Sequence, residues 1–393
     1  MLARPQRAFD ADNHYYEAED AFTRHVDSKM RGRCMRWAQV DGKTRLLVGG
    51  KINRFIPNPT FDPCAKPGSL NDFFRGTASI TDLASAFGEL DPISPAYRDP
   101  AARLSVMDEQ GLAGAMLFPT LGVGMEGALS GDRPALLAAL GGFNRWLHED
   151  WTYNYEDRIF PAPCLTLADV GWAVSELERV LANGARVINM RPGPISDPAG
   201  NRSFGHRSHD PFWARVNEAG ITVAFHAGDA GYGFMLDEWG VNPDFQAFRL
   251  PMIFQLLAMS PISDTMASFL ADGIFTRFPN IRVATIENGS EWVRPLFSKL
   301  KKAFQMRGPR WPEDPRDTFR RHVWVSPFFE DDLADLAELL GVDHIVFGSD
   351  WPHAEGLADP LSYIADLDAA GFTQADAEKT MYDNAAALVL PAR

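Results

Sequence analysis

The sequence is poor in cysteine and contains no CxxC pair. Its three cysteines, Cys34, Cys64 and Cys164, are odd in number and far apart along the chain. This spacing excludes a disulfide framework and a cysteine-based zinc motif. The N-terminal segment MLARPQRAFDAD also lacks the apolar core of a secretory signal. We therefore interpret the cysteines as structural thiols and expect a cytoplasmic protein.

Positive charge is scarce too, with 38 Lys and Arg against 52 Asp and Glu, for a net charge of −14. Nucleic acids and anionic membranes are bound by clustered basic residues, so we expect neither as a partner. No apolar run reaches the roughly 18 to 20 residues that span a bilayer. The hydrophobic content of 46% is ordinary for a globular protein. These properties favour a soluble enzyme with a small-molecule substrate.

Apolar, β-branched runs alternate with amphipathic stretches along the chain. Runs such as Val283–Ile286 are nearly continuously apolar or β-branched, as in parallel strands covered on both faces. Gly220 and Gly341 mark helix ends just before two of these runs. Eight such units predict an α/β fold, a (β/α)8 TIM barrel forming one domain over residues 1–393. The predicted strands are Ala8–Asp12, Gly114–Phe118, Phe160–Leu165, Ala185–Met190, Thr222–His226, Arg282–Glu287, Val323–Ser326 and Ile345–Gly348.

Two segments interrupt this repeat. Residues 18–98 follow the first strand and contain a hairpin signal, Asp41-Gly42, and the Pro-rich loop Ile56–Pro59. The second segment is the long loop Asp229–Ser263 after the fifth strand. Because both leave the carboxyl ends of strands, both should border the barrel mouth. We predict that residues 18–98 form an inserted hairpin and loop region over that mouth.

Four predicted strands lead into acidic or histidine side chains: Asp12 and His14, His226, Glu287, and Asp350. Asp12 and His14 are two residues apart, so their side chains point to the same side of a strand. All these strand ends should meet at one mouth. Two imidazoles and two carboxylates suffice to hold a divalent ion with positions open for water. The combination therefore predicts a metal centre.

Each of these residues has another interpretation when it is taken alone. Asp12 and His14 could be polar residues at a strand end, and His226 could be a hydrogen-bonded core histidine. Asp350 could form a turn or cap a helix. Glu287 could be a structural carboxylate held by backbone N–H groups. Only the joint pattern favours the metal centre.

The sequence resembles the amidohydrolase superfamily, in the branch typified by aminocarboxymuconate-semialdehyde decarboxylase and often called amidohydrolase family 2. The resemblance implies metal ligands at Asp12 and His14 on the first strand, His226 on the fifth and Asp350 on the eighth. It covers nearly the whole chain outside the two insertions. It rests on the motifs DADNHYYE, HDPFWARVNEAGITVAFHAG, GIFTRFPNIRVATIENGSEWV and FGSDWPH.

The chain departs from the family pattern at two positions. The superfamily usually carries His-x-His on the first strand, whereas the earlier position here is Asp12. Branch decarboxylases are expected to carry a histidine on the sixth strand, where this chain has Glu287. A glutamate at that position could bind a second ion or orient an attacking water.

These observations lead to two enzyme hypotheses and one other. The first is a metal-dependent hydrolase of an ester, thioester or amide, in which Asp350 accepts a proton from water and passes it to the leaving group, and Glu287 assists. The alternative is a metal-dependent, non-oxidative decarboxylase of an aromatic or unsaturated carboxylate, with Arg191 as the carboxylate partner. In either case His353 could contact the substrate. The third hypothesis, a binding or scaffold barrel without catalysis, is opposed by the intact set of candidate ligands.

The cofactor expected from the resemblance is a divalent ion, Zn, Fe or Mn, with Glu287 available for a second one. Dimers are common in this branch, so we expect a homodimer. The long loop after the fifth strand is rich in large apolar side chains, which favours a fairly apolar substrate, although such residues more often serve packing. These side chains are Phe234, Met235, Phe245, Phe248, Met252 and Phe254.

Overall fold

The computed structural model describes residues 2–53, 59–77, 88–197, 199–240, 257 and 260–391. Its strands are Ala8–Tyr15 (β1), Met35–Val40 (β2), Lys43–Val48 (β3), Lys51–Asn53 (β4), Cys64–Ala65 (β5), Leu90–Asp91 (β6), Leu112–Pro119 (β7), Ile159–Pro161 (β8), Val187–Met190 (β9), Thr222–His226 (β10), Arg282–Ile286 (β11) and Val323–Val325 (β12). Its α-helices are Asn71–Phe74 (α1), Pro100–Gln110 (α2), Met125–Leu129 (α3), Arg133–Trp151 (α4), Val170–Ala182 (α5), Asp210–Ala219 (α6), Gly233–Glu238 (α7), Pro261–Ala271 (α8), Ile274–Arg277 (α9), Val293–Arg307 (α10), Pro315–His322 (α11), Leu333–Leu340 (α12), Ile364–Ala369 (α13), Gln374–Glu378 (α14) and Asn384–Val389 (α15).

Two parallel sheets share the barrel wall, one of β1, β7 and β8 and the other of β9 to β12. They join at Asn189, whose carbonyl accepts from the Leu165 N–H at 2.9 Å and whose N–H donates to the Pro163 carbonyl at 2.8 Å. The predicted third strand, Phe160–Leu165, is shorter than expected because β8 ends at Pro161. Two prolines here lack the N–H groups that a longer ladder would need.

The barrel closes through the eighth predicted strand, Ile345–Gly348, although this segment is not a regular strand. Its Val346 N–H donates to β12 at 3.0 Å, and its Phe347 carbonyl accepts from β1 at 2.8 Å. The Phe347 N–H leaves the ladder and donates to the Thr380 carbonyl at 3.1 Å instead. The segment therefore makes single bridges to its neighbours. The expected (β/α)8 barrel is confirmed, and the regular eighth strand is the part of the prediction that was wrong.

Apolar side chains fill the barrel interior and its lower end. Phe9, Met116, Phe118 and Ile286 belong to one buried cluster that also includes residues of α15. The Thr222 hydroxyl donates to a carbonyl of α15 at 2.6 Å. α15 therefore closes this end of the barrel, and the strands finish at the other end.

The helix boundaries follow the stop and start signals of the sequence. Gly220 is left-handed (φ 62°) and ends α6. Asp332 begins α12, its side chain accepting from the Asp335 N–H, and Gly341 ends the helix. Asp169 caps α5 in the same way. Gly220 and Gly341 thus end their helices within a few residues of the next barrel segment.

The insertion after β1 contains the predicted hairpin. β2 and β3 are antiparallel and joined by Asp41 (φ 51°) and Gly42 (φ 72°), the left-handed pair of a tight two-residue turn. β4 adds a third strand. Further along, the Gly68 and Leu70 N–H groups donate to carbonyls of the loop at 353–354, at 3.1 and 2.7 Å. The insertion thus lies against the loop that follows the eighth barrel segment.

Some sequence predictions concern residues outside the described part of the chain. These are Ile56, Pro57 and Asn58 of the Pro-rich loop, most of the long loop after β10 with Phe245, Phe248, Met252 and Phe254, and the side chain of Phe234. Among the helices of the described part, none has the length and apolarity required to cross a bilayer.

Candidate metal centre

The predicted ligands lie together at the carboxyl ends of the barrel strands. Asp12 and His14 are in the last half of β1, and His226 is the final residue of β10. Glu287 directly follows β11, and Asp350 follows the eighth barrel segment. The fold therefore brings all five side chains to one mouth.

Four ligand atoms converge on one small space at this mouth. His14 Nε2 lies 3.2 Å from His226 Nε2 and 3.2 Å from Asp350 Oδ1. Asp12 Oδ1 lies 3.4 Å from both imidazole nitrogens, and it is buried without a hydrogen-bond donor in the described part of the chain. A buried carboxylate oxygen without a donor, facing two Nε2 atoms, is a donor set that suits a divalent cation. The residues present therefore fit a metal ion.

His226 is oriented for this role by the backbone. Its Nδ1 lies 2.8 Å from the Ala227 carbonyl oxygen. Because a carbonyl can only accept, Nδ1 carries the proton and Nε2 presents its lone pair to the centre. The neutral imidazole is the form that ligates metals.

The charges around the centre stabilise a cation. Burial lowers the pKa of His14, but Asp12 and Asp350 outweigh it and raise that pKa well above its ordinary value. Burial likewise raises the pKa of Asp350, yet His353 and His14 outweigh it and hold that pKa well below its usual range. Carboxylates that hold a proton on His14 in this way would equally balance a divalent ion.

Glu287 borders the same space from β11. Its Oε2 lies 3.1 Å from His226 Nε2. Its backbone is left-handed (φ 53°), a conformation that costs a non-glycine residue about 1 to 3 kcal/mol and that clusters at functional sites. Burial, with the nearby charges of Asp350 and Asp12, raises the pKa of Glu287 well above its ordinary value. Glu287 and Asp350 are thus two carboxylates whose environments displace their pKa values in opposite directions.

Asp350 has the same left-handed backbone (φ 55°) and is paired with a histidine. His353 Nδ1 lies 2.6 Å from Asp350 Oδ1, and its Nε2 lies 3.0 Å from the Thr120 hydroxyl. The His353 ring also packs on the His14 ring, with centroids 4.0 Å apart. His353 therefore holds both Asp350 and His14 from the side of the eighth barrel segment.

Sequence reasoning missed Glu355. Ligand atoms of Glu355, Glu287, Asp350 and His353 all lie within 4.8 Å of one another. Burial, followed by the charge of Asp350, raises the pKa of Glu355 to about 7. The signal was available, since Glu355 is a second acid in the loop after the last barrel segment. Thr120, which contacts His353, had no such signal.

Arg191 does not join the ligand cluster. Its side chain is 7% exposed, Nη2 donates to the Pro194 carbonyl at 2.8 Å, and Nε lies 3.7 Å from Glu126 Oε1. Arg191 and His226 do line one cavity of about 20 Å³, which is room for a single water molecule. Arg191 thus lies near His226 and the loop that follows β10, outside the ligand cluster.

A closed parallel barrel with imidazoles and carboxylates at its mouth defines the class of metal-dependent barrel enzymes. Residues 90–389 match the family model of the amidohydrolases. The chain therefore belongs to the amidohydrolase family, which confirms the resemblance. No protein of curated function shows significant similarity to the chain.

Solved structures agree with this assignment. An amidohydrolase from Mycobacterium avium subsp. paratuberculosis is 43% identical, with 98% of each chain covered and a TM-score of 0.92. A dihydroxybenzoic acid decarboxylase from Polaromonas sp. JS666, with bound manganese and the inhibitor 2-nitroresorcinol, is 18% identical (TM-score 0.55; 82% of this chain and 93% of that chain covered). The 5-carboxyvanillate decarboxylase of Sphingomonas paucimobilis is 16% identical (TM-score 0.56; 99% and 100% covered). The two decarboxylases share the fold with this chain.

Proposed function

We propose that this protein is a metal-dependent hydrolase that cleaves an ester, thioester or amide bond of a small, fairly apolar molecule. The observation that carries the proposal is the Glu287 carboxylate, whose Oε2 lies 3.1 Å from His226 Nε2 at the edge of the candidate metal centre. A carboxylate at this point suits the handling of an attacking water.

The candidate ligands of the ion are Asp12, His14, His226 and Asp350. When bound, a divalent ion supplies Lewis-acid polarisation of a carbonyl and lowers the pKa of water. The bound manganese of the Polaromonas decarboxylase supports a divalent ion in a barrel of this fold.

We assign the proton-accepting role to Glu287 and a supporting role to Asp350. Glu287 accepts a proton only in its ionised form, which a cation bound beside it would favour, and its raised pKa then makes it the stronger base of the two. Glu287 takes one proton from water while the water oxygen forms its bond to the carbonyl carbon. The bond to the leaving oxygen, sulfur or nitrogen then breaks, and the leaving group takes the proton from Glu287. Asp350 stays ionised, with His353 holding it at 2.6 Å.

The charge balance supports hydrolysis of a neutral bond. Four carboxylates, of Asp12, Glu287, Asp350 and Glu355, belong to the candidate ligand groups. One divalent ion offsets Asp12 and Asp350, the two whose pKa values are lowered, so no excess positive charge is left for a carboxylate substrate, whereas a neutral carbonyl needs none.

The second candidate is the decarboxylase. It is supported by the decarboxylases that share the fold, whereas the cavity between Arg191 and His226 has room for one water molecule and does not admit a substrate carboxylate. In that reaction the carbon–carbon bond to the carboxylate breaks, CO2 leaves and a proton takes its place on the substrate carbon.

Isotopic labelling distinguishes the two candidates. Purified protein with Mn²⁺ or Zn²⁺ is incubated with acyl esters, thioesters, amides and hydroxybenzoates in H₂¹⁸O. Hydrolysis puts ¹⁸O into the acid product, whereas decarboxylation releases CO2 and leaves no ¹⁸O in the other product. Release of CO2 alone would overturn the hydrolase proposal.

Glu287→Gln tests the assigned base. We expect kcat to fall by about 100-fold or more with metal content unchanged. The matched control is Glu291→Gln, an exposed glutamate four residues further on, which should leave kcat unchanged. A variant at Glu287 with normal kcat would remove it from the reaction.

A further inference from the structure

A fully buried arginine lies directly behind the candidate metal centre. Arg103 of α2 is 0% exposed. Its Nε donates to the Ala96 carbonyl at 2.7 Å, Nη2 donates to the His14 carbonyl at 2.6 Å, and Nη1 donates to Asn13 Oδ1. The guanidinium also lies 4.5 Å from the centroid of the Trp351 ring. Arg103 thus touches residues on both sides of the centre, on β1 and after the eighth barrel segment.

Asn13 connects this arginine to a buried carboxylate. Asn13 Nδ2 donates to Asp10 Oδ2 at 2.9 Å. Asp10 Oδ1 accepts from the Asp12 N–H at 3.1 Å and from the Ser349 N–H at 2.9 Å, and the Ser349 hydroxyl donates to Oδ2 at 2.5 Å. The Trp351 N–H in turn donates to the Ser349 hydroxyl oxygen at 3.1 Å. Arg103, Asn13, Asp10 and Ser349 are called the Arg103 network below.

The network holds an irregularity of β1 that aims the candidate ligands. Asp10 pairs with Ala115 of β7, but Asn13 pairs with Leu117, so three steps along β1 match two along β7. Such a bulge redirects side chains. Asn13 then faces Asp10 and Arg103, while its neighbours Asp12 and His14 face the centre. Asp10, which precedes the bulge, and Asn13, which follows it, are therefore both members of the Arg103 network.

The same bonds hold Asp350. Its flanking residues, Ser349 and Trp351, each bond to the network or pack on it. The Asp350 N–H donates to the Asp12 carbonyl at 2.8 Å, and the His14 N–H donates to the Trp351 carbonyl at 2.8 Å. The three ligands therefore cannot shift independently of the network.

A cation buried in this way is costly unless polar groups surround it. No carboxylate of the described residues forms an ion pair with Arg103. Burial lowers the pKa of the Arg103 guanidinium to about 9. Three neutral oxygens and an aromatic face solvate it instead. A planar guanidinium can reach all three acceptors at once, which a lysine ammonium on a flexible chain cannot do in the same geometry.

We propose that the Arg103 network is a positioning device that holds Asp12, His14 and Asp350 in the arrangement that binds the divalent ion. The inference rests on the proposed function in one respect, namely that a divalent ion binds at this centre. Partners that orient metal ligands typically change metal affinity by about 10- to 100-fold when they are removed.

The test measures metal affinity directly, without substrate. Metal-free wild type and Arg103→Lys are titrated with MnCl₂ by calorimetry, well below their melting temperatures. We expect the variant to bind Mn²⁺ about 10-fold more weakly or worse. The matched control is Arg282→Lys, because Arg282 also donates to backbone carbonyls, those of Ala387 and Gly220, but at the opposite end of the barrel. The control should keep wild-type affinity.

A second variant covers the case in which Arg103→Lys does not fold. Ser349→Ala removes one oxygen from the network, and we expect Mn²⁺ binding to weaken by about 3-fold or more. Folded variants with wild-type affinity would overturn the inference, since a purely structural role lowers the melting temperature without changing affinity. Equal weakening in Arg282→Lys would overturn it as well. A wild type that binds no divalent ion would overturn the proposed function and this inference together. A wild type that binds the ion, with folded variants that bind it equally well, would overturn this inference alone, so the two failures are distinguishable.

Discussion

Glu17, just beyond β1, should make the stability of this protein fall as the pH rises. Its side chain is 0% exposed. Oε1 accepts from the Leu121 and Gly122 N–H groups at 2.9 Å each, whereas Oε2 has no hydrogen-bond partner among the described residues. Burial outweighs these bonds and raises the pKa of Glu17 from 4.5 to about 7.

The sign of the effect follows from proton binding. Between pH 4.5 and about 7 the folded state holds a proton on Glu17 that the unfolded state has lost. The free energy of unfolding therefore decreases as the pH rises through this window. The full displacement of the pKa corresponds to about 3 kcal/mol. With an unfolding entropy of about 2.1 cal/mol/K per residue, this is roughly 4 °C of melting temperature for a chain of this length.

Glu17→Gln removes the ionisation and keeps the two acceptor contacts. In metal-free protein we expect the variant to melt within about 1 °C of the wild type at pH 5 and roughly 4 °C above it at pH 8. Scanning calorimetry in EDTA at the two pH values measures the difference. The control is Glu109→Gln at an exposed position, which should change the melting temperature neither at pH 5 nor at pH 8. If wild type and Glu17→Gln lose the same melting temperature between pH 5 and pH 8, Glu17 does not ionise as described.

Three further predictions concern the centre, a cap and the insertion. Divalent-metal affinity should fall steadily as the pH is lowered from 8 to 5.5, because the pKa of His14 is raised well above its ordinary value and a proton on that imidazole competes with the ion. Calorimetric Mn²⁺ titrations over this range check this, and a flat profile would exclude His14 as a ligand. Asp169→Ala should cost about 1 kcal/mol in urea unfolding and leave metal content unchanged, because it removes only the cap of α5. Gly68→Ala should destabilise the protein by at least about 1 kcal/mol, because Gly68 has φ 72° and a Cβ there would lie 2.7 Å from the Ala358 nitrogen; wild-type stability would show that this contact is loose.

Most of the fold could be predicted because its signals are local. Apolar runs such as Val283–Ile286, and helix ends such as Gly220 and Gly341, each lie within a few residues of the feature they specify. The prediction was wrong where a distant group competes for the backbone. The Phe347 N–H bonds to Thr380, a partner that no local pattern around the eighth segment indicates.

The candidate site divides in the same way. Asp12, His14, His226, Glu287 and Asp350 were predicted from strand ends, because parallel strands in a barrel finish at one mouth. Their roles as ligands or base stay predictions for the experiments above. The acid Glu355 after the last barrel segment was visible in the sequence and was overlooked, but its place beside Glu287, which comes from another strand end, depends on the fold.

By itself the sequence determined the barrel, its insertions and the candidate ligands. The spacing of apolar residues, the turn residues and the side chains at strand ends can each be recognised within a short stretch of the sequence. Only the tertiary structure decided how those ligands are aimed. The bulge in β1 and the left-handed Glu287 and Asp350 depend on partners far away in the chain. Arg103 lies 89 residues from the His14 carbonyl that it contacts. Such contacts form only when the closed barrel brings distant segments together, and no local pattern encodes them.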